Sequence, residues 1–328
     1  MTTRTKANTM RAWGIQQYGG PEELQLMNLP MPRVEHRDVL IRMHSAEVGD
    51  WDALVREGGW PMGRSFPLVL GLAGAGTIVT MGGDVTMLEE GEAVFAYSYP
   101  MVHRGCDSPD HNGAWAEYML VPASYVARAP KSLDLAKAGT APIAGLTALE
   151  TIADLLEVAR GDRVLITAAS GGVGHLAVQI AAARGGFVIA TTSRKNFEWM
   201  RRLGADVVID HRTRDLVREV VEASPGGVDK ALNCVAGGTA NDVARVLRRN
   251  GRMIDLTGSV TLDRPDAEVN DSYVVEASGD RLSRLARMFD EGKLVLEVQE
   301  LMPFSRAPEA LDRVLAKHAH GKIGIKIV

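Results

Sequence analysis

Cysteine is scarce in this chain, with only Cys106 and Cys234 among 328 residues. Two cysteines are too few for a disulfide framework or for a four-cysteine zinc site. The sequence therefore predicts reduced thiols and no structural zinc of that kind.

Two further absences narrow the class of protein. No run of eighteen apolar residues occurs, and the stretch from Met1 to Arg11 is polar, so the sequence predicts neither a membrane span nor a signal peptide. The net charge of -4 comes without a basic block, which makes a nucleic-acid backbone a poor candidate partner. We expect a cytoplasmic protein that binds no membrane and no nucleic acid.

The chain instead contains two regions with different patterns of apolar and turn-forming residues. A length of 328 residues with 46% hydrophobic residues suits two domains with separate cores. In residues 1–125, short β-rich runs such as 38–43 and 76–80 alternate with glycine and proline, which predicts a compact β-domain. In residues 126–292, strand-like and helical runs alternate, which predicts an α/β domain with a doubly wound parallel sheet. Its five predicted strands are 163–167, 187–190, 206–209, 230–234 and 252–256.

The C-terminal region is predicted to return to the first domain. Helices are predicted over 281–291 and 308–318, and a closing strand is predicted over 322–328. We therefore assign 293–328 to the same domain as 1–125.

A glycine-rich loop follows the first strand of the parallel sheet. Ala168-x-x-Gly171-x-x-Gly174 has the spacing of a dinucleotide-binding loop, with alanine at the first glycine position. Glycines between a strand and a helix let the backbone approach a pyrophosphate, and the helix N-terminus offers free N–H groups. A tight turn without a ligand is the alternative. The residues predicted to bind phosphate are Ser170, Gly171, Gly172, Val173 and Gly174.

The end of the second strand indicates which dinucleotide binds. NAD-binding units usually carry Asp or Glu there, whereas this chain reads Ser193-Arg194-Lys195. A hydroxyl followed by two cations suits a 2′-phosphate, so NADP(H) is the predicted cofactor. Solvated cations at the start of a helix are the alternative.

Five motifs occur in order along nearly the whole chain. They are Gly113-Ala-Trp-Ala-Glu-Tyr118, Gly145-Leu-Thr-Ala-Leu149, Ala168-Ala-Ser-Gly-Gly-Val-Gly174, Leu203-Gly-Ala-Asp-Val-Val-Ile-Asp210 and the final Gly321-Lys-Ile. Together they resemble the medium-chain dehydrogenase/reductase superfamily, and more narrowly its zinc-independent, quinone-oxidoreductase-like branch. The resemblance implies a GroES-like β-domain, completed by the C-terminal residues, and a Rossmann domain, with the active site in the cleft.

The zinc ligands of the superfamily's alcohol dehydrogenases are replaced in this sequence. The first ligand position falls on Gly49 or Asp50, the next segment reads Gly71-Leu72-Ala73, and 141–145 contains no cysteine. A catalytic zinc needs about three protein ligands, so we predict no metal.

One metal-like cluster remains, from His103 to His111 around Cys106. Its spacing matches no standard zinc site, and its Gly, Pro and Asp content is typical of a loop. Such a loop could shape access to the cleft.

The resemblance implies hydride transfer from NADPH to a quinone or to the β-carbon of an α,β-unsaturated carbonyl. A protein that keeps the NADPH fold with little turnover, like crystallin or RNA-binding relatives, is the alternative. In the resembled branch the first domain often contains Asn-Pro-x-Asp-Trp, whereas this chain has Glu47-Val-Gly-Asp-Trp51. Glu47, in place of the asparagine near nicotinamide, is a candidate acid or base if burial raises its pKa. Asp50 is either catalytic or the N-cap of the following helix.

Other candidate site residues are distributed along the chain. Tyr97 and Tyr99 share one face by alternation and are candidate oxyanion donors, with packing tyrosines as the alternative. By resemblance, further residues line the cofactor, although Thr147 could be a backbone-bonded helical threonine, His211 a solvated histidine and Lys322 an exposed strand residue. These further residues are Thr147, His211, Asn233, Val235, Thr257, Gly258 and Lys322.

A homodimer is predicted from the end of the parallel sheet. In residues 271–276, Tyr273 and Val275 alternate with Val274 and Glu276, which predicts a sixth, edge strand. An exposed edge can pair with its symmetry mate about a two-fold axis. The alternative is an edge covered by the connection 261–270.

Overall fold

The chain forms two compact units. The computed structural model describes residues 9–59, 66–98, 112–212, 215–317 and 320–328. The first unit comprises Met1–Ile143, Glu276–Asp290 and Val298–Val328, and the second comprises Ala144–Val275 and Glu291–Glu297. The predicted first domain is 1–125 and 293–328, whereas the first unit runs to Ile143 and also includes Glu276–Asp290.

The first unit is built around a long buried strand, β3. Its apolar run Val39-Leu40-Ile41 is buried, and β3 pairs antiparallel with both β5 and β7. The predicted strands 38–43 and 76–80 are confirmed within β3 and β5. The elements of this region are β1 (Thr9–Ile15), β2 (Gln25–Pro30), β3 (Asp38–Glu47), α1 (Asp50–Glu57), β4 (Leu68–Val69), β5 (Ala73–Met81), β6 (Ala93–Tyr97), β7 (Tyr118–Pro122), β8 (Val126–Arg128) and α2 (Leu135–Ala138).

The second unit contains the predicted parallel sheet. Its elements are α3 (Pro142–Leu149), which starts in the first unit, β9 (Arg163–Ile166), α4 (Gly174–Ala183), β10 (Phe187–Thr192), α5 (Phe197–Arg202), β11 (Val207–Asp210), α6 (Leu216–Ala223), β12 (Val228–Asn233), α7 (Gly238–Arg245), β13 (Leu247–Asp255) and β14 (Glu268–Asn270). The strand order is β11-β10-β9-β12-β13-β14, and every neighbouring pair is parallel. The order reverses between β9 and β12. Such a switch point leaves a crevice at the carboxyl ends of the strands.

The predicted edge strand over 271–276 was wrong. The sixth strand is β14, in the segment predicted to be a connection, and it pairs with β13. The alternation in 271–276 instead reflects packing on the second unit, because Val275 is buried and the Tyr273 hydroxyl donates to Glu150 Oε2 at 2.9 Å.

The C-terminal region contributes two strands to the seven-stranded sheet of the first unit. Its elements are α8 (Gly279–Asp290), β15 (Val298–Pro303), α9 (Ala307–Leu315) and β16 (Lys322–Lys326). Strand β16 pairs antiparallel with β3 and parallel with β15. Among the helices in the described ranges, none has the length and apolar character needed to span a membrane.

Candidate functional site

The glycine-rich loop joins β9 to α4, and its backbone restricts the residues that fit at positions 168 and 174. Ala168, at the first glycine position, has a φ of 47°, in the left-handed region that glycine usually occupies. A Cβ added to Gly174 would lie 2.5 Å from the Ala168 carbonyl oxygen, so a side chain at position 174 would clash with the loop backbone. The N–H groups of Gly172, Val173 and Gly174 donate to no acceptor among the described residues, whereas those of His175, Leu176 and Ala177 donate to the Gly171 or Val173 carbonyl oxygens. The loop therefore fits a bound pyrophosphate.

The end of β10 is tied to this loop by side-chain hydrogen bonds. The Thr192 hydroxyl donates to Ser170 Oγ at 2.8 Å. Asn196 donates to Thr192 Oγ1 at 3.2 Å and to Ser193 Oγ at 3.3 Å. The predicted residues Ser170 and Ser193 are thus brought together by Thr192 and Asn196, two residues that the sequence analysis did not single out.

The two predicted 2′-phosphate cations lie beside this network. Arg194 and Lys195 are both exposed and form a short turn with the buried Asn196. His211 is also exposed, and its backbone N–H donates to the Thr192 carbonyl oxygen at 3.4 Å. Arg194, Lys195 and His211 therefore all lie close to the carboxyl end of β10.

A second polar network joins the carboxyl ends of β9, β12 and β13. The Thr167 hydroxyl donates to Asn233 Oδ1 at 2.7 Å, and Asn233 Nδ2 donates to Asp255 Oδ1 at 2.8 Å. All three side chains are completely buried. Asp255 also accepts from the Thr257 hydroxyl at 2.8 Å and from the Ser259 N–H at 2.9 Å. This network holds the predicted cofactor-lining residues around the switch point.

Thr167 and Asp255 were missed by the sequence analysis, although each follows or ends a buried strand. The predicted residue Val235 is anchored through its carbonyl oxygen, which accepts from Asn233 at 2.8 Å. Gly258 lies in the exposed turn after β13 with a φ of 60°. Burial, assisted by the nearby Asp255 carboxylate, raises the pKa of the Cys234 thiol to about 12. Cys234 therefore stays protonated at neutral pH and is not an activated nucleophile.

Glu47 forms a buried ion pair in the first unit. Its Oε1 lies 2.7 Å from Lys322 Nζ, with side-chain exposures of 0% and 6%. Its Oε2 accepts from the Ile143 N–H at 2.8 Å. The ammonium of Lys322 also lies 5.3 Å from the centre of the Trp51 ring, a distance typical of a cation–π contact. Lys322 is therefore a buried partner of Glu47, and its alternative assignment as an exposed strand residue was wrong.

Asp52, next to this pair, is a buried acid that the sequence analysis did not single out. It accepts from the N–H groups of Gly49 at 2.9 Å and Gly71 at 3.2 Å. Burial raises the pKa of Asp52 to about 8 and outweighs both hydrogen bonds; nearby Glu47 raises it further and Lys322 lowers it. At neutral pH this carboxyl group is predominantly protonated.

Asp50 lies at the first position of α1 and is exposed. The residue before it, Gly49, is the N-cap, so the alternative prediction of Asp50 as the N-cap was wrong. The carboxyl group that accepts from the Gly49 N–H comes from the third helical position, Asp52, as in a capping box.

The remaining predicted residues lie in separate places. Tyr97 is buried in β6 opposite Ala73. Thr147 is buried in α3, and its carbonyl oxygen accepts from the Thr151 hydroxyl at 2.7 Å. Tyr99 and the cluster from His103 to His111 lie outside the described residues. Within the described ranges, no three His, Cys, Asp or Glu side chains are grouped to hold a metal ion.

Comparisons with known proteins agree on one family. A family model of the alcohol dehydrogenase GroES-like domain matches residues 35–131, and one described as zinc-binding dehydrogenase matches residues 203–324. The chain is 32% identical over 320 residues to the chloroplastic NADPH-dependent alkenal/one oxidoreductase of Arabidopsis thaliana. The matched region covers 96% of this chain and 78% of the relative. The chain is 31% identical to the 2-methylene-furan-3-one reductase of Solanum lycopersicum, with 96% and 79% covered.

A solved structure extends the similarity to the whole fold. The quinone oxidoreductase from Coxiella burnetii superposes with a TM-score of 0.82 at 26% identity, and the match covers 98% of this chain and 100% of that one.

Proposed function

Because the chain belongs to the quinone-oxidoreductase-like branch of the medium-chain dehydrogenase/reductase superfamily, we propose that it transfers hydride from NADPH to a quinone or to an α,β-unsaturated carbonyl compound. The observation that carries this proposal is the glycine-rich loop at the switch point, linked through Thr192 to a strand end with two exposed cations. The names of its relatives support this class of acceptor, because they describe enzymes that act on alkenals, enones or quinones.

The chain's own residues would bind and orient the cofactor, which supplies the hydride when bound. Residues 170–174 would bind the pyrophosphate, and Ser193, Arg194 and Lys195 the 2′-phosphate. The network around Asn233 would hold the strand ends close to the ring and ribose. The other proposed cofactor contacts are Thr147, His211, Val235, Thr257, Gly258 and Lys322.

The reaction also needs a proton, because hydride addition to an enone leaves an enolate that must be protonated at the α-carbon. We propose Asp50, Glu47 and Tyr97 as the candidate groups that bind or protonate the acceptor oxygen or carbon. Of these, Asp50 is exposed and free to exchange protons with water, whereas Glu47 is engaged by Lys322. Comparing kcat in Asp50→Asn, Glu47→Gln and Tyr97→Phe would separate their contributions.

NADPH oxidation with a panel of small quinones and enones tests the proposed reaction. We expect turnover with at least one of the two acceptor classes. Tight NADPH binding without turnover on any member of the panel would favour the alternative, an NADPH-binding structural or regulatory protein.

NADPH is expected to bind more tightly than NADH, and Arg194→Ala should remove most of that preference. Losing charge-assisted hydrogen bonds to the 2′-phosphate, worth about 1.5–3 kcal/mol each, should weaken NADPH binding by about one to two orders of magnitude. NADH binding should be unchanged. Fluorescence titration of both cofactors measures this, with the exposed Arg202→Ala as a matched control. Equal affinities in the wild type would contradict the assignment.

Zinc independence is part of the proposal. Its support is that Gly49, Leu72 and Ala73 stand at the ligand positions of zinc-dependent relatives. We expect metal analysis to find no stoichiometric zinc and strong chelation to leave turnover intact. Stoichiometric zinc whose removal abolishes turnover would overturn this, and would direct attention to the cluster from His103 to His111.

A homodimer in the cytoplasm completes the proposal. Strand β14 is the last strand of the six-stranded sheet and, among the described strands, pairs with β13 alone, so we propose that its other edge pairs with that of a symmetry mate. We expect a dimer in light scattering at micromolar concentration, and an intermolecular disulfide in oxidised Asn270→Cys beyond any formed by the wild type. A clean monomer would contradict the edge-pairing proposal, and cell fractionation tests the compartment.

A further inference from the structure

His175 directly follows the last glycine of the loop and bonds through both ring nitrogens. Its side chain is completely buried in the first turn of α4. Nε2 accepts from the Glu297 N–H at 3.3 Å, and Nδ1 lies 2.8 Å from the Gly171 carbonyl oxygen. A backbone N–H can only donate, so Nε2 is unprotonated and the proton of the neutral ring resides on Nδ1, which donates to Gly171. One imidazole therefore links the loop to a distant backbone segment.

Gln179, one turn further along α4, holds the same segment. Its Oε1 accepts from the Val295 N–H at 2.7 Å, and its Nε2 donates to the Val295 carbonyl oxygen at 3.0 Å. The same Nε2 donates to the His175 carbonyl oxygen at 2.9 Å. The amide thus satisfies both backbone groups of Val295, as a neighbouring strand would.

The segment held in this way is a short part of the second unit that leads into the first unit. Glu291–Glu297 belongs to the second unit, whereas the residues on either side of it belong to the first. Immediately after Glu297 the chain enters β15, which pairs with β16 in the sheet of the first unit. His175 and Gln179 therefore bind the last residues before the chain passes into the other unit.

His175 also contacts the helix that follows the two predicted 2′-phosphate cations. The Trp199 ring, in α5, stacks on the imidazole with a centroid distance of 5.8 Å and an interplanar angle of 28°. A displacement of the imidazole would thus change its contacts with Gly171, Glu297 and Trp199 together. Because interiors are closely packed, such a shared side chain transmits displacement between its neighbours.

We propose that His175 and Gln179 are positioning residues that couple cofactor binding at residues 170–174 to the ordering of the connecting segment 294–297. The inference rests on the proposed role of the loop in binding pyrophosphate. Coupling free energies are reciprocal: NADPH on the loop stabilises the segment, and a well-held segment stabilises the loop conformation that binds NADPH.

Hydrogen exchange with and without NADPH tests the coupling in the wild-type protein. We expect NADPH to slow exchange in peptides covering 168–176 and also at the amides of Val295 and Glu297. In a second measurement, Gln179→Met preserves side-chain size and changes no residue of the loop; it removes the two bonds to Val295 and the bond to the His175 carbonyl oxygen. It should weaken NADPH binding by roughly three- to tenfold, a change of the size of one net hydrogen bond. Val220→Ala, in the core of the same unit, is the control for general destabilisation and should leave NADPH affinity unchanged.

Two conservative variants separate the two bonds of the imidazole. His175→Asn can keep a donor near Gly171 but does not reach Glu297, whereas His175→Gln can reach Glu297 but does not replace Nδ1. Coupling predicts that both weaken NADPH binding, and that only His175→Asn releases the Glu297 amide to exchange.

The outcomes distinguish the inference from the function on which it rests. Protection of 168–176 without protection of Val295 and Glu297, together with unchanged affinity in Gln179→Met, overturns the coupling and leaves the proposed cofactor site intact. NADPH binding without protection of 168–176 overturns the loop assignment, and the coupling with it.

Discussion

Lys322→Met is expected to lower the free energy of unfolding by about 3–5 kcal/mol, the usual cost of leaving one charge of a buried pair uncompensated. The carboxylate of Glu47 would keep its bond from the Ile143 N–H but lose the ammonium 2.7 Å away, in a site with side-chain exposures of 0% and 6%. Urea denaturation monitored by tryptophan fluorescence measures the change. Lys326→Met, an exposed lysine at the end of the same strand, is the matched control and should cost little.

The double variant Glu47→Gln/Lys322→Met separates the charge pair from cofactor binding. It removes both charges while glutamine keeps an acceptor for the Ile143 N–H, so most of the lost stability should return. If Lys322 also binds the cofactor, the double variant should bind NADPH as weakly as Lys322→Met does, and more weakly than the wild type, even though its stability is restored. A loss below about 1 kcal/mol in Lys322→Met would mean that the pair behaves like an exposed surface ion pair.

The parallel sheet could be predicted from sequence because its signals are local. Each strand-like run is followed by a helical run, and the loop glycines lie within a few residues of one another. The edge strand could not be predicted in the same way. β14 is only three residues long, and the clearer alternation in 271–276 arises from Val275 and Tyr273 packing on the second unit. Periodicity reports burial on one face, and it does not by itself report strand pairing.

The glycine-rich loop could be recognised for the same local reason, whereas the buried charges of the first unit depend on distant contacts. Glu47 was selected by its position, but its partner Lys322 comes from the other end of the chain. Asp50 was selected because it matches the aspartate of the resembled Asn-Pro-x-Asp-Trp segment, with an N-cap as its alternative role, and Asp52 has no such match. With Gly49 as the N-cap, the carboxyl group that accepts from its N–H is at the third helical position instead. The polar network of Thr167 and Asp255 had a weak signal, since both are polar residues at the ends of buried strands.

The stability of the fold should fall with rising pH because of Asp52. Burial raises the pKa of this acid to about 8 in the folded state, against about 3.9 in an unfolded chain. Between these values the folded state retains a proton that the unfolded state has lost. The stabilisation is therefore fully present below pH about 4 and is lost as pH rises towards 8, by about 1.4 kcal/mol per pH unit. Above that range both states are ionised and the contribution is constant.

Comparing wild type with Asp52→Asn isolates this slope from the titration of other groups. Asparagine keeps an oxygen acceptor for one of the Gly49 and Gly71 N–H groups and cannot ionise, so its stability should lack this part of the pH dependence. From pH 5 to pH 8 we expect the stability of the variant to improve relative to wild type by several kcal/mol, in the direction set by the raised pKa. Asp50→Asn, which removes an exposed acid two residues earlier, is the control for loss of a carboxyl group from the same helical turn and should change stability little. A difference between wild type and Asp52→Asn that stays constant from pH 5 to 8 would mean that Asp52 titrates as an ordinary carboxylate, with the two backbone N–H groups and Lys322 compensating fully for its burial.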